Sequence, residues 1–234
     1  MALPFFYTPT LSPVNTLLTL SEESSKHIVQ VLRMNTGEAL QLTDGKGTIC
    51  TAVIDTPHKK NCVVKITTTN YQQPPLQNTI AISLTKNASR FEWFLEKATE
   101  LGIAHIVPLL CDRTERSHLR VERMQTILIS ALLQSQQSWL PVLAAPLPFD
   151  TYIKQPAIAN SFIAHCMENE KKELQDYLKK TAAAAAICIG PEGDFTQHEI
   201  EKALAKGWLP VSLGSTRLRT ETAGMAAAVM LTLR

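Results

Sequence analysis

The sequence has no long hydrophobic run and no paired cysteines, and these absences exclude several classes of protein. No apolar segment approaches the roughly 20 residues that a bilayer-spanning helix needs, so we expect no membrane partner. The amino terminus lacks a basic region followed by an apolar run, which predicts a cytoplasmic protein. The five cysteines are widely spaced and form no C-x-x-C pair, which favours free thiols and argues against a metal site.

The common nucleotide-binding and hydrolase signatures are also missing. The chain contains neither G-x-G-x-x-G nor G-x-x-x-x-G-K-[ST], so the usual dinucleotide and P-loop sites are excluded. It contains no G-x-S-x-G nucleophile elbow and no H-E-x-x-H zinc helix. The formal net charge is only +2, so an anionic partner must be met by local clusters of cations rather than by a basic tail.

The composition is that of a globular protein, and the residue pattern divides it into two domains. A hydrophobic share of 45% in 234 residues suffices for one large or two small cores. Residues 1–72 carry short apolar runs, an Asp-Gly-Lys-Gly hairpin turn at 44–47 and a helix near 22–31. The segment 72–75, Gln-Gln-Pro-Pro, breaks this pattern because proline cannot join a strand ladder. We place the domain boundary there, with residues 73–234 as the second domain.

From Leu76 onward the pattern alternates between strands and helices, which predicts a parallel sheet with helices on its faces. Strands are expected at 80–84, 106–110, 162–166, 185–189 and 211–213, and helices at 89–101, 120–138, 171–180, 196–206 and from 220 onward. Capping boxes are expected to begin two of these helices, at Ser89 with Glu92 and at Thr196 with Glu199. The cysteines at 166 and 188 fall in strands, where they are expected to be small buried hydrophobes.

Two glycine-bearing turns near the carboxyl terminus are the most informative part of the chain. They are the Gly-Pro-Glu-Gly turn at 190–193 and the segment 213–223. Because glycine has no side chain, each turn lets the backbone approach a ligand closely. Both follow apolar runs that we expect to lie side by side in the sheet, where ligands bind at the carboxyl ends of the strands. Arg219 and Glu221 add a cation and a carboxylate where the last helix begins.

These two turns resemble the cofactor-binding motifs of the RsmE family, SPOUT-class methyltransferases that methylate N3 of a uridine in 16S ribosomal RNA. The resemblance extends along the whole chain and includes segments that resemble the family's PUA-like domain and the first strand and helix of its catalytic domain. The segments are 27–34, Gly37-Glu38 and Asp44-Gly45 for the former, and Lys86, 96–102 and Pro108 for the latter.

The resemblance implies an α/β fold with a SPOUT-type knotted parallel sheet, a C-terminal trefoil knot and an N-terminal β-rich PUA-like domain that binds RNA. It implies S-adenosyl-L-methionine as the cofactor and 16S rRNA of the small ribosomal subunit as the partner. It also implies a homodimer whose active site lies between subunits. The last helix, 223–233, carries more apolar surface than a lone peripheral helix needs, which favours such a dimer.

The same resemblance assigns roles to individual residues. It implies that three loops bind the cofactor, chiefly through backbone groups, and these loops hold His165, Cys166, Gly190, Pro191, Glu192, Gly193, Leu213, Gly214, Ser215, Leu218 and Thr220. Arg219 and Glu221 are the expected catalytic residues. Arg219 holds a phosphate or the developing negative charge, while Glu221 either orients Arg219 or acts as the base. The expected RNA-binding residues are Arg33, Lys86, Arg113 and Arg217.

The chain departs from the family pattern at two positions, and two other functions stay open. It has Ser215-Thr216-Arg217 where Pro-Arg-Ile or Pro-Arg-Val is common, and Gln137 where an arginine is common. One alternative is a non-catalytic knotted protein that binds RNA or assists ribosome assembly. The other is a SPOUT methyltransferase that acts on transfer RNA. The arginines at 113, 116, 120 and 123 fit either a solvated face or an RNA contact.

Overall fold

The computed structural model describes residues 3–155, 160–167 and 171–233. They form two compact units, one made of the chain up to Pro74 together with 132–140, the other of 75–131 with 141–234. The segment 132–140 thus belongs with the first unit, although it lies inside the second predicted domain. Hydrogen bonds attach it there, since Gly47 N donates to the carbonyl of Ser138 at 2.9 Å and Trp139 Nε1 donates to that of Gln72 at 3.1 Å.

The first unit is a five-stranded sheet with one short helix. Its elements are β1 (Phe5–Tyr7), β2 (Leu17–Thr19), α1 (Glu22–Lys26), β3 (Ala39–Thr43), β4 (Thr48–Thr56) and β5 (Val63–Tyr71). The strand order is β1-β3-β4-β5-β2, and every pair except β1–β3 is antiparallel. The hairpin turn predicted at 44–47 joins β3 to β4, and Asp44 Oδ1 accepts hydrogen bonds from the backbone of Lys46 and Thr48.

The helix predicted near 22–31 is confirmed. Ser21 caps α1 by accepting from Ser24 N at 3.2 Å, and α1 continues into a π-helical turn, His27–Val31. Ile28 on this turn is fully buried, as are the inward-facing residues of β3, β4 and β5. The alternation of buried and exposed positions on these strands therefore produces the core of the unit.

The second unit consists of parallel strands and helices in alternation, as predicted. The strands are β6 (Thr79–Ser83), β7 (His105–Leu110), β8 (Val142–Leu143), β9 (Leu147–Pro148), β10 (Ser161–Ala164), β11 (Lys172–Glu173), β12 (Ala186–Ile189) and β13 (Leu209–Ser212). The helices are α2 (Ala88–Glu100), α3 (Val121–Gln134), α4 (Phe149–Tyr152), α5 (Leu174–Leu178), α6 (Gln197–Ala205) and α7 (Thr220–Thr232).

The strand order of this sheet is β11-β13-β10-β12-β6-β7-β8, with β9 also pairing with β7, and all of its pairs are parallel. The prediction that the strands before the two glycine turns are neighbours was wrong, because β10 lies between β12 and β13. Parallel strands need crossover connections, so neighbours in the sequence need not be neighbours in the sheet. The carboxyl ends of β13, β10 and β12 consequently form one continuous edge.

The two predicted capping boxes had different outcomes. Thr196 accepts from Glu199 N while the Glu199 carboxylate accepts from Thr196 N, so the box at α6 is confirmed. The box at Ser89 was wrong. Asn87 caps α2 instead by accepting from Ser89 N at 3.0 Å, because the helix begins one residue earlier than expected and asparagine is an equally good cap. Glu92 instead forms an ion pair with Arg123.

The helix expected at 171–180 was predicted too long. It spans only Leu174–Leu178, since Lys172–Glu173 forms a short edge strand that pairs with β13. The long helix expected at 120–138 ends at Gln134. In the described part of the chain no helix is both long and apolar enough to cross a membrane.

Candidate functional site

Three loops at the carboxyl edge of the sheet enclose a cavity of about 600 Å³. They follow β10, β12 and β13, which are adjacent strands. Ten residues expected to bind the cofactor line it, namely His165, Cys166, Gly190, Pro191, Glu192, Leu213, Gly214, Ser215, Leu218 and Thr220. Gly193, the remaining one, does not. The structure thus brings together residues that are up to 55 positions apart in the chain, as the expected three-loop arrangement requires.

The loop after β12 is fixed by packing and by the start of the last helix. A Cβ atom added to Gly190 would lie 3.1 Å from both the ring and the backbone nitrogen of Phe195, which is buried. Thr220 Oγ1 donates a hydrogen bond of 3.0 Å to the carbonyl of Gly190. Gly190 is therefore required by its contact with Phe195, and Thr220 joins the amino end of α7 to the wall of the cavity.

The loop after β13 has open space beside Gly214. Gly214 has φ +123°, a conformation that residues with a side chain rarely adopt, and nothing lies within 4 Å of the position that a Cβ would occupy. Ser212 Oγ bonds to both the nitrogen and the carbonyl of Gly214, at 3.2 and 3.0 Å. The turn is thus held from one side while its other side is free to accept a ligand.

The loop after β10 contains one buried and one exposed side chain. His165 is 6% exposed, and neither ring nitrogen has a hydrogen-bond partner among the described residues. Burial, reinforced by the positive charge of Lys171, lowers the pKa of His165 below its ordinary value. Cys166 is exposed, so its predicted burial was wrong, because β10 ends two residues earlier at Ala164. Cys188, in the middle of β12, is buried as predicted.

Two charged residues that sequence reasoning missed support this loop. Lys171 Nζ donates to the carbonyls of His165 and Met167, each at 2.6 Å. The Asp194 carboxylate accepts from Cys166 N at 2.7 Å and from Phe195 N at 2.8 Å. Both residues also line the cavity. Only the left-handed preference of aspartate after a glycine turn could have indicated Asp194, since its partner Cys166 lies 28 positions away.

Of the two expected catalytic residues, Arg219 lines the cavity and Glu221 does not. Arg219 is the N-cap residue of α7 and lines the cavity. Glu221, in the first turn of α7, is 7% exposed and lies outside the cavity lining. Its Oε1 atom is 3.5 Å from Arg90 Nε, while Oε2 is buried without a hydrogen-bond partner in the described part of the chain. Arg90 lies on α2, so no local spacing could have indicated this pair.

The four expected RNA-binding residues fall in both units. Arg33 is exposed in the first unit, just after the π-helical turn, with φ +55°. Lys86 is exposed and pairs with Glu115 at 2.8 Å, while its backbone nitrogen donates to Glu192. The guanidinium groups at 113 and 217 approach the same edge of the sheet, since Arg113 donates to the Gly193 carbonyl at 2.6 Å and Arg217 lines the cavity.

The cavity walls combine backbone groups, apolar side chains and both signs of charge. Glu192 and Asp194 supply carboxylates, and Lys171, Arg217 and Arg219 supply cations. Among the described residues no group of three or more His, Cys, Asp or Glu side chains could hold a metal ion. Such walls can hold a polar organic ligand through backbone groups and charges of both signs, together with an oxyanion at Arg219.

Two family models match the chain. One describes an RNA methyltransferase domain and covers residues 72–232, and the other describes an RNA methyltransferase PUA domain and covers residues 20–67. The fold and these matches define the class as a SPOUT-type RNA methyltransferase with an N-terminal PUA-like domain. Within that class, the chain belongs to the ribosomal RNA small subunit methyltransferase E family.

Named relatives resemble the chain along most of its length. The ribosomal RNA small subunit methyltransferase E of Synechocystis is 34% identical over 93% of this chain and 73% of the relative. A putative methyltransferase from Legionella pneumophila, solved with bound SAM, is 31% identical, has a TM-score of 0.88 and covers 100% of this chain and 98% of its own. The S-adenosyl methionine-bound enzyme from Neisseria gonorrhoeae is 29% identical, with a TM-score of 0.86 and coverages of 97% and 95%.

Proposed function

We propose that this protein transfers a methyl group from S-adenosyl-L-methionine to N3 of a uridine in the 16S rRNA of the small ribosomal subunit. The observation that carries the proposal is the cavity formed by the loops after β10, β12 and β13. Relatives whose names specify ribosomal RNA methylation, and neighbouring structures whose names specify the bound cofactor, support it along nearly the full chain.

The residues around the cavity fit this cofactor. Gly214 leaves open space beside the turn after β13, and Leu213 and Leu218 supply apolar surface for a flat ring. Glu192, in the cavity wall, supplies negative charge for a cationic ligand. When bound, the cofactor supplies an activated methyl group on a positively charged sulfur. The protein's part is to hold this group and the target base in line.

Arg219 serves the reaction by stabilising negative charge. Uridine N3 carries a proton that must leave before or during methylation, and negative charge then develops on the uracil ring. The guanidinium group of Arg219, at the amino end of α7, stabilises that charge or binds a neighbouring phosphate. It can do so because it presents a rigid fork of donors to oxyanions.

Glu221 serves best as a residue that orients its neighbours. It is buried outside the cavity lining and faces Arg90, which favours orientation of the amino end of α7 over direct removal of the proton. In that case another side chain or a water molecule removes the proton from uridine N3. Arg33, Lys86, Arg113 and Arg217 contact RNA phosphates, which position the substrate without reading its sequence.

A homodimer, the trefoil knot and a cytoplasmic location belong to the same proposal. Val229 on α7 and Leu233 at its carboxyl end are 41% and 73% exposed, and closed two-fold association would cover this apolar surface. α7 packs on β6 and α2, an arrangement consistent with a threaded last helix. Light scattering is expected to show twice the 25.9 kDa chain mass, and a purely monomeric sample that still methylates RNA would overturn the dimer.

The experiment that tests the function is nucleoside mapping. Small ribosomal subunits from a strain that lacks this methyltransferase are incubated with the protein and S-adenosyl-L-methionine, and digested RNA is analysed by mass spectrometry. We expect 3-methyluridine in 16S rRNA, and far less of it after the same short incubation with the Arg219→Ala variant. Transfer RNA from the same strain is assayed in parallel, and methylation of transfer RNA alone would establish the alternative of a SPOUT methyltransferase that acts on transfer RNA. No transfer to either RNA by a folded protein would favour the non-catalytic RNA-binding alternative.

A further inference from the structure

Asp194 has a backbone conformation that few residues with a side chain adopt. Its φ angle is +62°, in the left-handed region, although it follows a glycine that could have taken this role. Aspartate tolerates the region better than most residues but is still disfavoured relative to glycine. Such a conformation persists where the surrounding structure holds it, and it is concentrated at functional sites.

The carboxylate of Asp194 connects two of the three loops that form the cavity. Oδ2 accepts from Cys166 N, in the loop after β10, and Oδ1 accepts from Phe195 N, in the loop after β12. Both distances, 2.7 and 2.8 Å, are those of strong hydrogen bonds to an ionised acceptor. Each carboxylate oxygen is therefore committed to a backbone donor on a different loop.

The loop after β10 depends on side chains for its position. On its carbonyl side Lys171 Nζ binds His165 O and Met167 O, and on its N–H side Asp194 binds Cys166. The described segment 165–167 belongs to no helix or strand. The Asp194 carboxylate thus holds an N–H group of this segment and the Lys171 ammonium holds two of its carbonyls, where the segment forms the cavity wall.

We infer that Asp194 is a positioning residue that sets the distance between the loops after β10 and β12 and so organises the cofactor cavity before the cofactor binds. This inference rests on the proposed function for the identity of the cofactor. Organising the loops in advance strengthens binding, because less ordering remains to be done on association. Asp194 acts through the backbone of Cys166 rather than by its own charge on the ligand.

A direct attraction between the Asp194 carboxylate and the sulfonium is the competing role, and a pair of ligands separates the two. S-adenosylhomocysteine lacks the methyl group and the positive charge of S-adenosylmethionine but has the same remaining parts. Loss of a loop clamp weakens both ligands by the same factor. Loss of a charge contact weakens only the positively charged one.

The test is calorimetric titration of both ligands into full-length wild type, Asp194→Gly and Asp194→Asn. Glycine accepts the left-handed backbone but loses both hydrogen bonds, so we expect about tenfold or more weaker binding of both ligands. Asparagine tolerates the conformation and retains an acceptor oxygen, so its loss is expected to stay within about threefold. Asp176→Asn, an exposed change on α5 at a residue that pairs with Lys179, is the matched control.

Hydrogen exchange on the ligand-free protein supplies a second readout. Amide exchange in the peptide that contains Cys166 should be faster in Asp194→Gly than in wild type, while a peptide from β12 exchanges as before. Equal affinities of wild type and Asp194→Gly, or weakening confined to S-adenosylmethionine, would overturn the clamp. A folded wild type that binds neither ligand would instead overturn the proposed function.

Discussion

At the residue scale, Gly214 makes the sharpest prediction about the cofactor. A valine at this position would have to adopt φ +123° and would fill the open space beside the turn after β13 with its side chain. We expect Gly214→Val to weaken binding of S-adenosylmethionine by at least about tenfold, because the ligand loses its close approach to the backbone. Calorimetric titration measures this directly.

Gly207 is the matched control for that substitution. It also has a positive φ, +84°, and open space around its Cβ position, but it follows α6 and does not line the cavity. Gly207→Val should therefore cost stability, on the order of 1–2 kcal/mol, without changing cofactor affinity. If both variants lost the same affinity, general backbone strain rather than the Gly214 turn would be responsible.

His165 gives the protein a predictable dependence on pH. Burial lowers the pKa of this imidazole in the folded state, so below the unfolded value of about 6.5 the unfolded chain binds a proton that the folded protein does not. Stability is thus fully present above about pH 6.5 and declines as the pH falls below it. Urea unfolding at pH 7.5 and 5.5 should show a smaller decline in His165→Gln than in wild type. An identical decline in stability of wild type and His165→Gln would mean that His165 binds a proton as readily in the folded protein as in the unfolded chain.

Individual site residues differ in how far the sequence could indicate them. Gly190 and Gly214 were predictable because a glycine in the turn after an apolar strand indicates either a close approach to the backbone, as at Gly190, or a positive φ, as at Gly214. Lys171 and Asp194 were not, because their roles consist of hydrogen bonds to backbone groups of another loop. The environment of Glu221 likewise depends on α2, because its partner Arg90 lies there. No local sequence pattern connects α2 to α7.

At the scale of single elements, the capping box of α6 is the feature that mutation can test best. Thr196 Oγ1 accepts from Glu199 N, and the Glu199 side chain, 2% exposed, also accepts from Asp112 N at 2.9 Å. Thr196→Ala is expected to lower the free energy of unfolding by about 1 kcal/mol. Urea unfolding provides the value, and Thr126→Ala on α3, whose hydroxyl donates to a carbonyl of its own helix, should change it by less. Equal losses of unfolding free energy in Thr196→Ala and Thr126→Ala would mean that the cap stabilises the protein no more than an ordinary side-chain hydrogen bond within a helix.

The elements themselves were largely predictable, while their arrangement was not. Apolar runs located β6, β7, β12 and α7, because a strand that is buried on both faces, such as β6 or β12, is apolar at nearly every position. The place of β10 between β12 and β13 depends on the path of the crossovers, which periodicity does not contain. The short edge strand 172–173 was missed for a similar reason, since its pairing with β13 overrides a helix-forming sequence.

At the scale of the whole molecule, two functions are assigned to two parts of the chain. RNA capture is assigned to the first unit with Arg33, and methyl transfer to the cavity of the second unit with Arg219. Phosphate contacts position a substrate, whereas groups near the reacting atoms act mainly in the transition state. The two functions should therefore be separable by mutation.

The most direct test of the central claim is the single-turnover rate of methyl transfer to small ribosomal subunits at saturating RNA and cofactor. We predict that Arg219→Ala lowers this rate by roughly a hundredfold or more while S-adenosylmethionine still binds, as for the loss of a charge-stabilising group. Arg33→Ala should need more RNA for saturation but then reach the wild-type rate. Near-normal turnover in Arg219→Ala would contradict the account, because the reaction would then not take place at this cavity.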